Sequence, residues 1–287
     1  MRRLERLSEQ LGGEAEEADL IIANGRVLDP ANGLDGLYDV AVRDGVIVAV
    51  EPQGALAGAA AAETFDVTGL LVTPGLVDLH AHGFQHVEPI GLDFDASCLQ
   101  RCTTTVCDAG SSGATHFPGF RKFIIDACKT RVLAFLNISL IGAGRAPALA
   151  DTGPSLGGDG RAEGGGLQST AHISVDHCVD CIRQNSDVIV GIKIALSRSW
   201  ASEFPGGPAA GEAAGYEAAL EASARAGVPL MTHHTMSSVP LSECPGRLRA
   251  GDVYTHCLHG FESTLITPEG GIDPAALAAR DRGVRFE

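Results

Sequence analysis

The pattern of apolar and polar positions differs between two parts of the chain. In its first quarter, short β-rich runs alternate with Asn-Gly and Asp-Gly pairs, which are typical of tight hairpin turns. The clearest pair, Asp44-Gly45, lies between two alternating apolar stretches. Residues 19–72 are therefore predicted to form a small antiparallel β-domain. The charged residues 1–18 carry only a weak helical pattern and are expected to form a flexible extension.

Beyond Pro74, continuous apolar runs alternate with segments of helical periodicity. This order is typical of βαβ units around a parallel sheet, and uninterrupted apolar strands are typical of a sheet covered on both faces. Strands are predicted at 75–80, 103–108, 131–140, 188–196, 228–233 and 253–258, with GVRFE at the end of the sequence as the opening of a seventh. Helices are predicted at 117–129, 174–185, 211–226 and 274–282.

A (β/α)8 barrel is the fold that this order favours. Such a barrel has eight strands in about 250 residues, and the chain after position 73 offers six βα units and fewer residues than that. Residues 73–287 are therefore expected to form an incomplete barrel, truncated after about six units; an open six-stranded sheet is the competing interpretation. The Gly-rich stretch 149–170 follows the third strand, and its composition suits either an active-site lid or a tolerated surface insertion.

Charge and composition narrow the classes of function. A formal net charge of -15 disfavours nucleic acid and anionic membranes as partners, since both are bound through Lys and Arg. No apolar run approaches the length of a bilayer span, and the N-terminus has no apolar signal region, so a cytoplasmic protein is expected. The eight cysteines are then expected to be reduced thiols. A small molecule is the expected ligand, and the sequence leaves open whether the chain forms a homo-oligomer.

The segment GLVDLHAHG carries the strongest chemical signal. His80 and His82 lie at the end of an apolar strand, where positions i and i+2 face the same side. Both imidazoles would then project together, as two ligands of one metal must. The alternative is that two histidines stand near a strand end by chance and bond to the backbone, but the frequency of histidine as a metal ligand favours the metal site.

Lys193 interrupts the otherwise apolar strand VIVGIKIALS. Because a buried ammonium without a partner is costly, there are three explanations: an ion pair with a buried carboxylate, a Schiff-base lysine, or carboxylation by CO2 to an anionic bridging ligand. Taken alone, the ion pair is favoured. His233 and His256 also end predicted strands, and barrel enzymes draw their working residues from several strand ends on one face. His234 is expected to point to the opposite side.

The ordered set His80-x-His82, Lys193, His233 and His256 resembles the amidohydrolase superfamily, and the flanking VTPGLVDLHAHG and GDVYTHCLHG resemble its deacetylase and dihydroorotase-like branch. The resemblance covers about residues 19–287 and implies a (β/α)8 barrel with a small β-sandwich. It also implies two divalent metal ions, expected to be zinc. His80 and His82 would hold the more buried ion, His233 and His256 the more exposed one, and carboxylated Lys193 would bridge both. A shared hydroxide would attack the scissile carbonyl.

One feature of that family has no counterpart in this sequence. The resemblance implies an aspartate at the end of strand eight, as metal ligand and general acid/base. Asp273 and Asp281 instead follow the sixth strand in helical or turn sequence. The catalytic acid/base therefore stays unassigned, and we expect either a fragment of a longer enzyme or a degenerate barrel that binds metal without turnover.

Hydrolysis of a small acylated substrate, at an amide or acyl ester bond, is the function that the resemblance favours. A dihydroorotase-like cyclic amidase is the alternative; it would need a basic residue for a substrate carboxylate, for which Arg198 is the candidate. His259 is either a substrate contact or a loop histidine without a role. The glycines of CDAGSSGA, residues 107–114, would let a substrate approach the backbone or form a tight turn.

Overall fold

Residues 18–88, 90–143 and 166–287 are described by the computed structural model. The chain divides into two compact units, with the boundary between Leu76 and Val77. The N-terminal extension, apart from Ala18, and residues 149–165 of the Gly-rich stretch lie outside the described residues, so both stay predictions.

The first unit is built on one five-stranded sheet. Its strands are β1 (Ala18–Asp29), β2 (Leu34–Arg43), β3 (Val46–Pro52), β4 (Ala61–Asp66) and β5 (Leu71–Val72). They lie in the order β3-β2-β1-β4, and β5 also pairs with β1. The pairs β1–β2 and β2–β3 are antiparallel, and the predicted hairpin turn at Asp44-Gly45 joins β2 to β3 with positive φ at both residues.

Two features of this unit differ from the prediction. β4 and β5 pair with β1 in parallel, so the expected antiparallel pattern is wrong for these strands. The reason is the path of the chain, because the turns of residues 53–60 carry it across the sheet instead of reversing it beside β3. The described residues of the unit also form one sheet rather than the two packed sheets of a sandwich.

A curled sheet of seven strands forms the second unit. Its strands are β6 (Leu76–Ala81), β7 (Thr103–Gly113), β8 (Arg131–Asn137), β9 (Ile189–Leu196), β10 (Leu230–His234), β11 (Val253–Thr255) and β12 (Arg285–Phe286). Strands that are consecutive in sequence are neighbours in the sheet, and the pairs from β7 to β12 are parallel. The prediction of a parallel α/β sheet is confirmed, and β12 adds a seventh strand to the six that the competing open-sheet interpretation counted.

Helices connect the strands of this sheet. They are α1 (Phe94–Cys98), α2 (Phe117–Phe120), α3 (Val175–Gln184), α4 (Pro208–Ala226) and α5 (Pro274–Asp281). The helix predicted at 117–129 is shorter than expected, since α2 is followed by one π-helical turn, Arg121–Ile125. None of the described helices is long and apolar enough to cross a membrane.

Strand β9 shows how the sheet sorts its side chains. Ile192, Ile194 and Leu196 are fully buried in the main core, which they share with residues of α3 and α4. Since successive residues of a strand face opposite sides, Lys193 faces away from this core, and its amine lies near Met231 in a smaller inner cluster. The sheet therefore keeps the helices on one side and Lys193 on the other.

Asp39 of β2 is the polar anchor of the first unit. The residue is only 2% exposed, and its carboxylate accepts hydrogen bonds from the backbone N–H groups of Asn24 (2.9 Å), Gly54 (2.8 Å) and Leu56 (3.3 Å). Through these bonds Asp39 links the segment after β3, and the irregular part of β1 near Asn24, to β2. Hydrogen bonds to a charged group are among the stronger ones in proteins, so the unit depends on this carboxylate, which accepts three of them.

We predict that Asp39→Ala lowers the free energy of unfolding by about 2–3 kcal/mol, because three backbone N–H groups lose the charged acceptor that they share. Urea unfolding followed by circular dichroism measures the change. Asp35→Ala is the matched control, since Asp35 lies on the same strand in an exposed ion pair with Arg26 and should have little effect. Equal effects of the two substitutions would contradict the anchoring role of Asp39.

Candidate metal centre

The predicted ligand residues lie at one edge of the parallel sheet. His80 is in β6 and His82 directly follows it, Lys193 is in β9, His233 is in β10, and His256 directly follows β11. Because the carboxyl ends of parallel strands meet at the same edge, residues far apart in sequence come together there.

These side chains form one continuous cluster. The ring centroids of His80 and His256 are 4.6 Å apart, those of His256 and His233 are 4.7 Å apart, and those of His80 and His82 are 5.5 Å apart. The amine of Lys193 lies 3.3 Å from Nε2 of His80. The five residues of the predicted set are therefore linked by a chain of close contacts, which does not by itself make them ligands.

Lys193 is buried without a carboxylate partner. Its amine contacts Nε2 of His80 and, at 3.7 Å, the sulfur of Met231, and within the described ranges no carboxylate oxygen lies within ion-pair distance of it. The ion pair that the sequence alone favours is thus not found. Burial lowers the pKa of Lys193 to about 7, against the opposing effect of the charges on Glu287, Asp108 and Glu88.

Gly110 makes the room that Lys193 occupies. Its φ is +93°, and a Cβ at this position would lie 2.6 Å from Cγ of Lys193 and 2.7 Å from its Cβ. The carbonyl of Gly110 accepts a hydrogen bond from the amide of Asn137 at 3.0 Å, which fixes the backbone there. Neither sequence interpretation of CDAGSSGA anticipated this close packing against the lysine side chain.

Three imidazoles of the cluster, those of His80, His233 and His256, favour their neutral form. Burial lowers the pKa of His233 far below its usual value, lowers that of His256 to about 4, and lowers that of His80. The nearby Lys193 charge acts in the same direction on each ring. Neutral imidazole is the form that binds metal ions, so the chemistry of the donor set fits a divalent cation.

His256 adopts a conformation that most residues avoid. The strand predicted at 253–258 ends at Thr255 in the structure, so His256 lies just after β11. His256 itself has a φ of +60°. Left-handed backbone at a residue other than glycine is strained and persists where the surroundings enforce it. In this conformation the imidazole lies beside His80 and His233, its two ring neighbours.

Each of the paired histidines is held at Nδ1 by a hydroxyl and a carboxylate. For His80 these are Thr255 Oγ1 at 2.7 Å and Glu287 Oε2 at 3.1 Å. The hydrogen bond from His80 is the main reason why the pKa of Glu287 falls to about 2. Sequence reasoning missed Thr255 and Glu287, because neither belongs to a recognisable spacing.

The corresponding partners of His82 are Ser111 Oγ at 3.1 Å and Glu88 Oε1 at 3.3 Å. Asp108 lies beside them, and the donor atoms of His82, Glu88 and Asp108 are all within 4.8 Å of one another. This trio has the donor types of a metal site in its own right. Sequence reasoning missed it, although an acid at the end of the predicted strand 103–108 was a usable signal for Asp108.

Other candidates from the sequence have structural partners. His234 does point away from the cluster, and its ring bonds to Tyr254 Oη (2.9 Å) and to the carbonyl of Val239 (2.8 Å). Arg198 forms an ion pair with Glu262 at 2.5 Å. His259 lies in the loop after β11, and its Nε2 is buried and has no hydrogen-bond partner among the described residues.

The two aspartates considered from the sequence lie outside the cluster. Asp273 caps the N-terminus of α5 by accepting a hydrogen bond from the N–H of Ala275. Asp281 lies on the surface and pairs with Arg280 at 2.8 Å. Neither residue supplies the strand-end carboxylate that the resemblance implies.

Parts of this chain match the sequences of known enzymes. A deacetylase of Agrobacterium fabrum is 29% identical over 247 residues, which are 85% of this chain and 54% of the relative. A dihydroorotase of Solibacter usitatus is 33% identical over 128 residues, 43% of this chain and 29% of the relative. No family model matches the chain.

The fold of this chain is also similar to the folds of solved enzyme structures. A dihydroorotase superposes with a TM-score of 0.73 at 27% identity, covering 93% of this chain and 64% of the other. An adenine deaminase superposes with a TM-score of 0.72 at 25% identity, covering 94% of this chain and 65% of the other. In sequence and in fold, the chain is similar to enzymes of the amidohydrolase superfamily. These amidohydrolase relatives are hydrolytic enzymes, and the chain spans about half the length of the deacetylases it matches.

The fit between Gly110 and Lys193 makes a testable prediction. Gly110→Ala should lower the free energy of unfolding by about 2–4 kcal/mol, because the new methyl group meets the lysine side chain and L-residues disfavour this φ. Chemical denaturation of the metal-free protein measures the change.

Gly119→Ala is the matched control, since a Cβ at that position meets no atom within 4 Å and Gly119 has no unusual φ. If Gly110→Ala unfolded at the same denaturant concentration as Gly119→Ala, the close packing of residue 110 against Lys193 would be refuted.

Proposed function

We propose that this chain carries the metal-binding part of a hydrolase that cleaves a small acylated substrate at an amide or acyl ester bond. The observation that carries the proposal is the cluster of neutral imidazoles packed around a buried lysine at the carboxyl edge of the sheet. This edge is where enzymes built on such parallel barrels place their active sites.

We further propose that the cluster holds two divalent cations, with zinc as the expected metal. His80 and His82 would hold one, His233 and His256 the other, and Lys193 would contribute to both. Bound there, the cations would supply Lewis-acid activation of a carbonyl group and of water. The support from this chain is the donor set itself, since nitrogen donors of neutral imidazole suit zinc.

Lys193 is proposed to act as its carbamate. Its neutral amine would attack CO2 to form an N–C bond and lose one proton, which leaves two carboxylate oxygens that share one negative charge. Two dications surrounded by neutral donors need such a negative group between them. The absence of a carboxylate beside Lys193 in the described residues supports carbamate formation over the ion pair.

Two observations favour an acyl substrate over a cyclic amide. In sequence, the deacetylase match extends over 85% of this chain, whereas the dihydroorotase match covers 43%; in structure, a dihydroorotase superposes over 93% of the chain. Arg198, the candidate for binding the carboxylate of a cyclic amide, is already paired with Glu262. His259, whose Nε2 lacks a partner in the described part of the chain, is proposed as a substrate contact on the same edge.

Metal content tests the role of Lys193. We expect the wild type to bind about two zinc ions per chain after incubation with bicarbonate, and Lys193→Ala to lose at least one, as measured by plasma mass spectrometry. With 13C-bicarbonate, a carbamate signal should appear in the NMR spectrum of the wild type and be missing from Lys193→Ala. Lys122→Ala is the control, since Lys122 is exposed. Full metal loading of Lys193→Ala would refute the bridging role.

Turnover tests the hydrolase itself. The zinc-loaded chain is offered N-acetyl amino acids, acylated hydroxy acids and dihydroorotate, and release of acetate or ring opening is followed directly. We expect hydrolysis of one of the two acyl classes that is lost in His233→Ala. Ring opening of dihydroorotate alone would favour the cyclic-amidase alternative, and metal binding without any turnover would favour a non-catalytic barrel.

A further inference from the structure

Glu88 is a buried carboxylate whose position calls for an explanation. Its side chain is 1% exposed and lies in the segment between β6 and α1, and within the described ranges neither Lys nor Arg pairs with it. Its carboxylate accepts a hydrogen bond from the hydroxyl of Ser111 at 2.6 Å, and its Oε1 lies 3.3 Å from Nδ1 of His82, within ion-pair distance. Burying a carboxylate without a cation is unfavourable, so its place beside His82 points to a role toward that ring.

The hydrogen atoms around Ser111 determine which tautomer His82 adopts. Ser111 Oγ lies 2.6 Å from Glu88 Oε1 and 2.6 Å from Asp108 Oδ2, and its one hydrogen is donated to a carboxylate. Toward His82, the hydroxyl can therefore only accept. Since Nδ1 of His82 faces this acceptor and the carboxylate of Glu88, Nδ1 carries the proton and Nε2 keeps its lone pair.

Asp108 holds this arrangement to the backbone. Its carboxylate accepts hydrogen bonds from the N–H groups of Gly83 (2.9 Å), Gly110 (3.1 Å) and Ser111 (2.8 Å). With both oxygens engaged, Asp108 has little capacity left for a cation. This occupancy argues against a separate metal site formed by His82, Glu88 and Asp108, and favours a supporting role for the trio.

The same arrangement recurs at the other paired histidine. Nδ1 of His80 also faces one hydroxyl and one carboxylate, those of Thr255 and Glu287, while its Nε2 faces Lys193. The two sets share no residue, and their hydroxyl groups come from different strands, that of Ser111 from β7 and that of Thr255 from β11. A repeated hydroxyl–carboxylate pair on two neighbouring rings indicates a common purpose, which is to present Nε2 to the centre.

We propose that Glu88, together with Ser111, is a positioning residue that fixes His82 as its Nδ1–H tautomer with Nε2 directed at the metal centre. The inference rests on the proposed function for the identity of the centre. It extends that function by assigning residues that no ligand motif contains. Partners of this kind typically change metal affinity by 10–100-fold when removed.

The tautomer is tested without metal. In long-range 15N–1H correlation spectra of the metal-free protein at pH 8, His82 should show one tautomer, protonated at Nδ1. Glu88→Met, which keeps the length of the side chain and removes the acceptor, should give a mixture of tautomers. Glu88→Gln, which keeps one acceptor oxygen, should lie between them. An unchanged single tautomer in Glu88→Met would overturn the proposal.

Zinc affinity is the second measurement, made by competition with a chromogenic chelator. We expect a 10–100-fold weaker Kd for Glu88→Met and a smaller loss for Glu88→Gln. Glu212→Met is the matched control, because Glu212 is also a buried carboxylate but bonds to Ser237 Oγ and the N–H of Ser238, away from the histidines. An equal loss in Glu212→Met would mean general destabilisation and would overturn the assignment.

The remaining outcomes are also decisive. If Glu88 were itself a ligand, the Co2+ absorption spectrum of Glu88→Gln would show a changed coordination number, which contradicts a positioning role. If Glu88→Met does not fold, Ser111→Ala removes a single oxygen and should mix the tautomers in the same way. Failure of the proposed function would appear separately, as a wild type that has the single tautomer but neither binds zinc nor turns over substrate.

Discussion

The burial of the Lys193 amine without a carboxylate is the constraint on which the site depends. An ammonium in that position would be poorly stabilised, because its contacts are an imidazole nitrogen and a thioether sulfur. Its surroundings match a neutral amine: Gly110 leaves space for the stem, and the imidazoles nearby have lowered pKa values. Among the described residues, the lysine therefore contacts uncharged groups and no negative one.

The strand pattern could be predicted from sequence because the parallel sheet places a strong demand on each residue. In β9 every residue except Val190 is buried. The strand therefore appears in the sequence as an apolar run, in which Lys193 is the one charged residue. The same reasoning located the histidines, which stand where those runs end. The direction of β4 and β5 could not be predicted in this way, since alternation of apolar residues is the same in parallel and antiparallel pairs, and the path of residues 53–60 decides between them.

The supporting residues could not be found from sequence for a different reason. Glu88 lies in a connecting segment, and no spacing distinguishes it from the exposed acids of the chain; only the fold brings it to His82. Ser111 and Thr255 are small hydroxyl residues of common types in strands. Their role depends on which atom of a ring they face, a property set by the register of neighbouring strands. Sequence periodicity reports which side of a strand a residue occupies, but not the partner across the sheet.

The proposed metal binding and the proposed turnover make different demands on this chain. The five proposed ligand residues all lie on or beside the strands β6, β9, β10 and β11, and their anchors at Nδ1 lie within the same unit. The free energy of metal binding arises from these local donors and from how well their tautomers are fixed beforehand. Turnover adds demands on substrate position and proton transfer, and the relatives that perform it are longer than this chain. A tight metal centre would therefore support the assignment of the ligands whatever the rate of hydrolysis, because the two measurements depend on different sets of contacts.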